Sequence, residues 1–319
     1  MRAAQIVEYG PPSVIQVADI PRPQPLRGQL LVRVKAAGVG PWDALIREGR
    51  SGVPQTLPLT LGSDIAGTVE AMGADVSGFA VGNEVYGLTN NHFTGGYAEY
   101  ALASASSMAR KPRSLNFVEA ASAPVVAVTA WQMLFDYADA IAGQKVLMHG
   151  AAGNVGAYAV QSARNAGLQV FATASSNDFD YVRALGAATV IDYHRSRFEE
   201  VVPPVDIVLD TVGGDTRMRS LGVLKPGGIL VSVVSTPIPS EAAAKAGVRV
   251  VFFIVDVTTA RLNKITELFD SGKLVTDVGT VLPLEKARTA HEMLGGAPHK
   301  RGKIVLSVNE PSGCRVQRR

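Results

Sequence analysis

Hydrophobic residues fall along this chain in two rhythms. From the N-terminus to about Arg113 they come in short stretches that alternate with polar residues or break at glycines. Leu30, Val32 and Val34 alternate with Leu31, Arg33 and Lys35, the period-two pattern of a half-buried strand. Pro21, Pro23 and Pro25 mark an extended connection before it. Residues 65–70, 84–86 and 95–102 read as further strands, punctuated by Gly62, Gly67, Gly73, Gly78, Gly82 and Gly87. Many short strands joined by glycine turns predict a small barrel. Residues 119–136, apolar and alanine-rich, read as a helix leading into a second region.

From Lys145 the rhythm changes. Val146, Leu147 and Met148 form an apolar run without alternation, as in a strand covered on both faces. Gly150, Gly153 and Gly156 follow at three-residue spacing. Val155, Ala159, Val160 and Ala163 then make an apolar helical stripe that stops at Gly167. A second run, residues 169–173, completes a βαβ unit. Runs at 189–193, 205–210, 229–234 and 248–255 alternate with helical segments, two of which end at Gly186 and Gly247, and residues 225–228 read as a tight turn. This alternation predicts an α/β fold with a parallel, doubly wound sheet. A helix at 258–270, another near 284–294, a strand at 303–308 and a mobile tail at 311–319 complete the reading.

Composition narrows the classes. A chain of 319 residues exceeds one ordinary core, so two domains are expected. Hydrophobic residues at 47% and charged residues at 18% suit a globular enzyme rather than a disordered chain. The net charge is +3 and the basic residues are scattered, which argues against a nucleic-acid partner. Cys314 is the only cysteine, so neither a disulfide framework nor a cysteine zinc site is available, in keeping with a reducing cytoplasm. The N-terminus has no apolar signal core and no stretch is apolar enough to span a membrane; a cytoplasmic protein with no membrane partner is expected.

The glycine turn carries the first candidate chemistry. Gly150, Ala152, Gly153, Asn154, Val155 and Gly156 combine close backbone approach with free N–H groups at a helix start, which suits a pyrophosphate. Ser175 and Ser176 end the second strand, where an NAD enzyme carries an acidic residue on the ribose hydroxyls. Two neutral hydroxyls leave room for the 2′-phosphate of NADP; the alternative is that they only start the next helix. Asp210, Thr211 and Val212 follow the fourth strand, and Val234 and Ser235 the fifth, where they are expected near the ribose or nicotinamide.

Several stretches together point to a family: Ala37-Gly-Val-Gly-Pro-Trp-Asp43, Gly62-Ser-Asp-Ile-Ala-Gly-Thr-Val69, Phe79-Ala-Val-Gly-Asn-Glu-Val-Tyr-Gly87, Gly95-Gly-Tyr-Ala-Glu-Tyr100, the glycine turn, and Gly302-Lys-Ile-Val-Leu306. In this order they resemble the medium-chain dehydrogenase/reductase superfamily, in its zinc-free quinone oxidoreductase branch, from about Met1 to Val308. The resemblance implies a GroES-like β-barrel domain made from residues 1–123 and 257–319. A Rossmann dinucleotide-binding domain, residues 124–256, is inserted between its two parts. Where zinc-dependent relatives carry a cysteine this chain has Gly40, and where they carry Gly-His-Glu it has Gly62-Ser63-Asp64. His92, His149, His194, His291 and His299 show no paired spacing, so no metal is expected.

The resemblance also implies site residues. Gly40, Trp42, Asp43, Leu45 and Ile46 are expected to line the substrate cleft. Relatives often have an asparagine at the Gly40 position and a tyrosine at the Leu45 position. Asp43 reads as a proton relay or a buried structural acceptor. His92 reads as a donor to a substrate carbonyl or as an exposed loop histidine. Thr129 matches a threonine near the nicotinamide, or bonds its own helix. Tyr193 matches a tyrosine that contacts the adenosine phosphate, or packs at a strand end. The implied activity is zinc-independent hydride transfer from NADPH to a quinone or an α,β-unsaturated carbonyl, by a homodimer; the exposed edge of strand 248–255 reads as a pairing site for it. Alternatives are a zinc-free ketone or biosynthetic enoyl reductase and, from another class, a non-catalytic NADPH-binding sensor or structural protein.

Overall fold

A computed structural model describes residues 1–235 and 240–308, so the tail expected at 311–319, with Cys314, lies outside the described residues. The chain divides into two compact units. One holds Met1–Val125, Val257–Asp270 and the chain from Thr276 onward; the other holds Val126–Asp256 and Ser271–Val275.

The first unit opens with eight strands: β1 (Arg2–Ile6), β2 (Gln16–Asp19), β3 (Gln29–Val39), β4 (Leu59–Thr60), β5 (Asp64–Met72), β6 (Glu84–Leu88), β7 (Tyr100–Ser104) and β8 (Met108–Arg110). The second unit carries β9 (Lys145–His149), β10 (Gln169–Ala174), β11 (Thr189–Asp192), β12 (Val205–Asp210), β13 (Leu224–Ser232) and β14 (Arg249–Phe252). The chain then returns to the first unit with β15 (Val278–Pro283) and β16 (Lys303–Ser307).

In the first unit β3 is the shared strand. One edge pairs with β5, while the other pairs with β7 through its first half and β16 through its second, so one long strand joins early and late parts of the chain. The larger sheet runs β15-β16-β3-β5-β6-β8, with β7 off this path on β3, and a smaller sheet runs β2-β1-β4. Leu31, expected to face solvent, is buried, so the alternation holds only from Val32 to Ala36, and the rest of the strand is buried on both sides. Regular pairing on β3 starts at Tyr100 rather than Gly95. Before it, the amides of Gly95, Gly96 and Tyr97 donate to the carbonyls of Thr60, Gly62 and Leu61, so this backbone is committed to a loop-on-loop contact.

The second unit is a six-stranded, all-parallel sheet in the order β11-β10-β9-β12-β13-β14. Its strands read as apolar runs because both faces are covered: Leu147, Val208 and Leu230 are fully buried among Phe171, Ile191, Phe198 and Leu221. The strand order reverses between β9 and β12, which opens a crevice at their C-terminal ends.

Three boundaries differ from the sequence expectation. The single helix at 119–136 is broken into Phe117–Ala121, Pro124–Trp131 and a wider π turn, Gln132–Tyr137. Pro124 has no N–H to continue the ladder, and it restricts the residue before it. Residues 225–228 do not precede the fifth strand but form an irregularity within β13, with Gly227 at φ +78°. The last strand pairs only over Arg249–Phe252. No helix among the described residues is long and apolar enough to cross a membrane.

Candidate functional site

The turn after β9 leads into the helix Asn154–Asn165, whose N-cap is Gly153. Gly153 has no side chain to cap with, and the helix has no acidic residue in its first turn. The first N–H groups of a helix have no carbonyl partner within it, so this end presents bare donors and a partial positive charge. Each glycine has its own reason. Gly150 sits at φ +76°, and a Cβ there would lie 2.4 Å from Thr211 Oγ1. A Cβ on Gly156 would lie 2.2 Å from the Gly150 carbonyl oxygen. Gly153 has ordinary extended dihedrals, and its Cβ would meet only the Gly150 oxygen, at 3.2 Å. Gly153 is exposed, with Ala152, Asn154 and Val155 partly so, and the cradle fits a pyrophosphate.

The loops after β12 and β13 are tied together. Asp210 is buried; its Oδ1 accepts the amides of Val212 and Gly213 at 2.9 and 2.8 Å, and its Oδ2 accepts the Ser232 hydroxyl at 2.8 Å. Ser232 Oγ accepts the Val234 amide, and the buried Arg217 donates to the Val234 carbonyl at 2.9 Å. The Asp210 carboxylate is thus spent on shaping the loop, while Val212 and Ser235 are exposed on it. Thr211 donates to the carbonyl of His149 at 2.8 Å, joining this loop to the glycine turn. The His149 ring lies between Thr173 and Ser220 hydroxyls, and burial pushes its pKa down to about 4, so it stays neutral. Thr129 is buried in the helix Pro124–Trp131.

Ser175 and Tyr193 end adjacent parallel strands, and the Tyr193 amide donates to the Ala174 carbonyl. Ser175 Oγ accepts the Asn177 amide at a long 3.4 Å. Ser176 is exposed, and Tyr193 is 58% exposed with His194 against it. Arg183 and Arg195 are mostly exposed and loosely paired, with Asp180 at 3.6 Å and Asp192 at 3.7 Å.

In the barrel unit, Gly40 caps the helix Pro41–Arg47 and Asp43 stands in its first turn, fully buried. Asp43 Oδ2 accepts the Gly40 amide and the Tyr97 hydroxyl, both at 2.8 Å, while Oδ1 has no partner. Burial pushes the Asp43 pKa up to about 7, against the pull of the Gly40 amide, Tyr97 and Lys303, and drives the Tyr97 phenol well above its usual value. Next to it, Asp64 accepts the Val125 amide on one oxygen and Lys303 Nζ, at 3.3 Å, on the other. Burial raises Asp64 to about 6 despite that lysine. Lys303, 1% exposed, also sits 4.4 Å from the centre of the Trp42 ring, whose Nε1 donates to Ser63 Oγ at 3.0 Å. Leu45 is exposed and Ile46 buried. Arg47 is buried and donates to His291 Nδ1 at 3.0 Å; burial, then that guanidinium, push His291 down to about 3.

His92 is exposed in its loop, with Nδ1 3.3 Å from the Pro54 carbonyl. A carbonyl only accepts, so Nδ1 carries the proton in this contact. Neutral His92 then offers an acceptor on Nε2, and it donates there only as the imidazolium. Sequence reasoning gave no role to Tyr97, Lys303 or Arg217. Tyr97 and Lys303 stand in quoted motifs; Arg217, one of two arginines on its helix, carries no signal.

Among the described residues, no group of three or more His, Cys, Asp or Glu side chains could hold a metal ion. A parallel sheet with a glycine-led helix start, joined in one chain to a β-barrel unit, defines a dinucleotide-dependent oxidoreductase of two domains. The family described as alcohol dehydrogenase GroES-like domain matches residues 26–113, and that described as zinc-binding dehydrogenase matches residues 185–306. The quinone oxidoreductase of Pongo abelii is 31% identical over 322 residues, covering 96% of this chain and 97% of its own. The solved quinone oxidoreductase of Coxiella burnetii is 34% identical, with a TM-score of 0.90 over 97% of this chain and 99% of that one. A mycobacterial protein solved with NADPH is 30% identical, with a TM-score of 0.87 over 96% and 100%. The chain belongs to the medium-chain dehydrogenase/reductase superfamily, where its relatives include quinone oxidoreductases.

Proposed function

We propose that this protein is a zinc-independent, NADPH-dependent reductase of quinones or α,β-unsaturated carbonyl compounds, working as a homodimer. One observation carries the reading. The carboxylate that stands in the metal-ligand motif of zinc-dependent relatives, Asp64, has both oxygens committed, one of them to a buried lysine ammonium. A metal needs those lone pairs, and the ammonium supplies a competing cation. Alcohol oxidation without a Lewis acid is hard, whereas an enone or quinone is already polarised.

Bound NADPH supplies a hydride, which is one hydrogen with two electrons. Added to the β-carbon of an enone, that pair displaces the C=C electrons onto the carbonyl oxygen, and the enolate then takes a proton from water. A quinone takes the same hydride and a proton to give the hydroquinone. The chain's own tasks are to fix the two partners and exclude side reactions. The bare amides at Asn154–Gly156 suit the pyrophosphate, and Ser175, with loosely held Arg183 on the following helix and Arg195 just after the end of the adjacent strand, suits a 2′-phosphate. The mycobacterial relative bound to NADPH supports that cofactor.

The test is NADPH consumption with 1,2-naphthoquinone, 2-hexenal and a simple ketone, before and after prolonged chelation. Turnover of the first two, unchanged by chelation, is expected, with NADPH favoured about ten- to a hundredfold over NADH in kcat/KM, or roughly 1.4 to 2.7 kcal/mol. Ser175→Asp should reverse the preference. Tight NADPH binding with no turnover, or loss on chelation restored by zinc, would overturn the reading.

A further inference from the structure

A surface cavity of about 810 Å³ lies at the end of the barrel unit where β3 begins. Three of its walls are turns: the one before β3, the one after β5 and the one between β7 and β8. Their backbones are tied together. The Gly28 amide donates to the Ala74 carbonyl at 2.8 Å, and the Gly28 carbonyl accepts the Ala105 amide at 3.0 Å. The fourth wall is the start of the helix Thr259–Asp270, where Thr259 and Asn263 share a face. Thr259 Oγ1 lies 2.7 Å from the Met108 carbonyl and 3.1 Å from that of Ala105, which fastens the helix to the turn beside it. The cavity is therefore shaped before any ligand arrives, and filling it costs little ordering.

Its charges do not balance. The charged residues that line it are Arg27, Asp75 and Arg110. Arg27 and Asp75 pair with each other. Among the described residues the Arg110 guanidinium has no ion-pair or hydrogen-bond partner, and the Asn263 amide has none either. The hydroxyls of Ser104 and Ser106 bond each other at 2.9 Å, which leaves one of their two protons free to donate. Beside these donors, Val76, Phe79, Ala105 and Ala109 make an apolar wall. One uncommitted cation, neutral donors and an apolar wall suit an anion with an apolar body. A single guanidinium neutralises a single charge, and its planar fork matches a carboxylate in two parallel bonds. A phosphate monoester, close to two negative charges, would keep one of them unmatched.

We propose that this cavity is a binding site for a small organic monocarboxylate with an apolar body, anchored by Arg110. It is separate from the glycine turn and from the corner at Gly40–Asp43. Every lining residue belongs to the barrel unit. Gln29 at the cavity and Val39 beside Gly40 are the two ends of β3, a strand of 11 residues, so roughly 30 Å of strand lies between them.

The test is calorimetric titration of the full chain with 1-naphthoate, beside its neutral counterpart 1-naphthamide and its more highly charged counterpart 1-naphthyl phosphate. Naphthoate is expected to bind at one site, about tenfold or more tighter than either counterpart. Arg110→Met should weaken it about tenfold or more, and Arg110→Lys by less, because lysine keeps the charge and loses the fork. Arg110 is exposed, so both variants should keep the wild-type thermal midpoint, which is measured alongside. Saturating NADPH should leave the naphthoate affinity unchanged. No binding at millimolar naphthoate, full affinity in Arg110→Met, or equal affinity for the amide overturns the site. Tighter binding of the phosphate overturns the monocarboxylate assignment. Competition with NADPH puts naphthoate on the nucleotide cradle and overturns the separate site. None of these measurements uses turnover, so their outcome and that of the reductase reading are independent.

Discussion

At the scale of single residues, Asp43 is a costly feature of the barrel unit. Its carboxyl is fully buried, and Oδ1 faces no donor. The protonated form suits this place better than the ionised one, which is why its pKa rises to about 7. The charges acting on it are Lys303, which opposes the rise, and Asp64, which adds to it. A carboxyl whose pKa is higher folded than unfolded contributes stability fully below the unfolded value, near 3.9, and that contribution is lost as pH climbs to the folded value. Asp43 therefore weakens the fold progressively from about pH 4 to pH 7 and no further above it. Asp43→Asn imitates the protonated state, since its amide oxygen still accepts from Gly40 and Tyr97. The variant is expected to match the wild type near pH 4 and to exceed it by about 4 kcal/mol at pH 8, the full rise from near 3.9 to about 7. Urea unfolding of both at several pH values measures this, and a gap that stays constant with pH would show that the carboxyl is ionised throughout. Asp43 itself was legible through its motif. Its setting was not, because Tyr97 lies 54 residues away, and Lys303 joins Asp64 across 239.

At the scale of elements, the βαβ unit was the most legible part of the chain. A parallel strand buried on both faces must be an apolar run, and a helix that receives an anion must start without an acidic first turn; both constraints are written locally at residues 145–167. The segment after Asn116 was misread as one helix. Its composition is helical throughout; Pro124 marks the first division, and the change to a π turn at Gln132 carries no sequence signal. Residues 225–228 were misread in the same way, since a glycine pair marks a turn or a bulge equally well. The three glycines after β9 were legible as a set but not in their separate roles, which depend on what a Cβ would strike. This difference gives a prediction. Gly153→Val places its Cβ 3.2 Å from a single backbone oxygen, a tight but not overlapping contact, in dihedrals that valine accepts, so it should cost no more than about 1 kcal/mol of stability. It should weaken NADPH binding at least tenfold, about 1.4 kcal/mol, because the side chain stands where the pyrophosphate approaches. Gly156→Val drives its Cβ to 2.2 Å from a backbone oxygen and should unfold the unit instead. Calorimetric titration with NADPH beside thermal unfolding separates the two, and wild-type affinity in Gly153→Val would move the pyrophosphate off this turn.

At the scale of the molecule, the question is how the parallel sheet ends. β14 pairs with β13 on one edge and with no other described strand on the other. Phe252 is 48% exposed on it, and Ile254, two residues on, is 61% exposed. An open edge bearing apolar side chains is a template for another strand, and a stable protein covers it, blunts it with charge, or associates through it. Here no charged residue interrupts residues 250–255, and the nearest charges are Arg249 at the start of β14 and Asp256 just past the stretch. The net charge of +3 is too small to oppose association. A second copy related by a two-fold axis supplies the same edge running the other way, so the same residues meet on both sides and the assembly closes at two. The homodimer proposed above is therefore expected to form along β14. Phe252→Lys and Ile254→Lys together should yield a monomer by placing charges on that edge. NADPH affinity per chain should stay within about threefold of wild type, roughly 0.7 kcal/mol, because the glycine turn follows β9 in the interior of the sheet. Sedimentation equilibrium over a range of concentrations decides it. A wild type that stays at the mass of one chain, or a double variant that remains paired, would place the contact elsewhere or remove it.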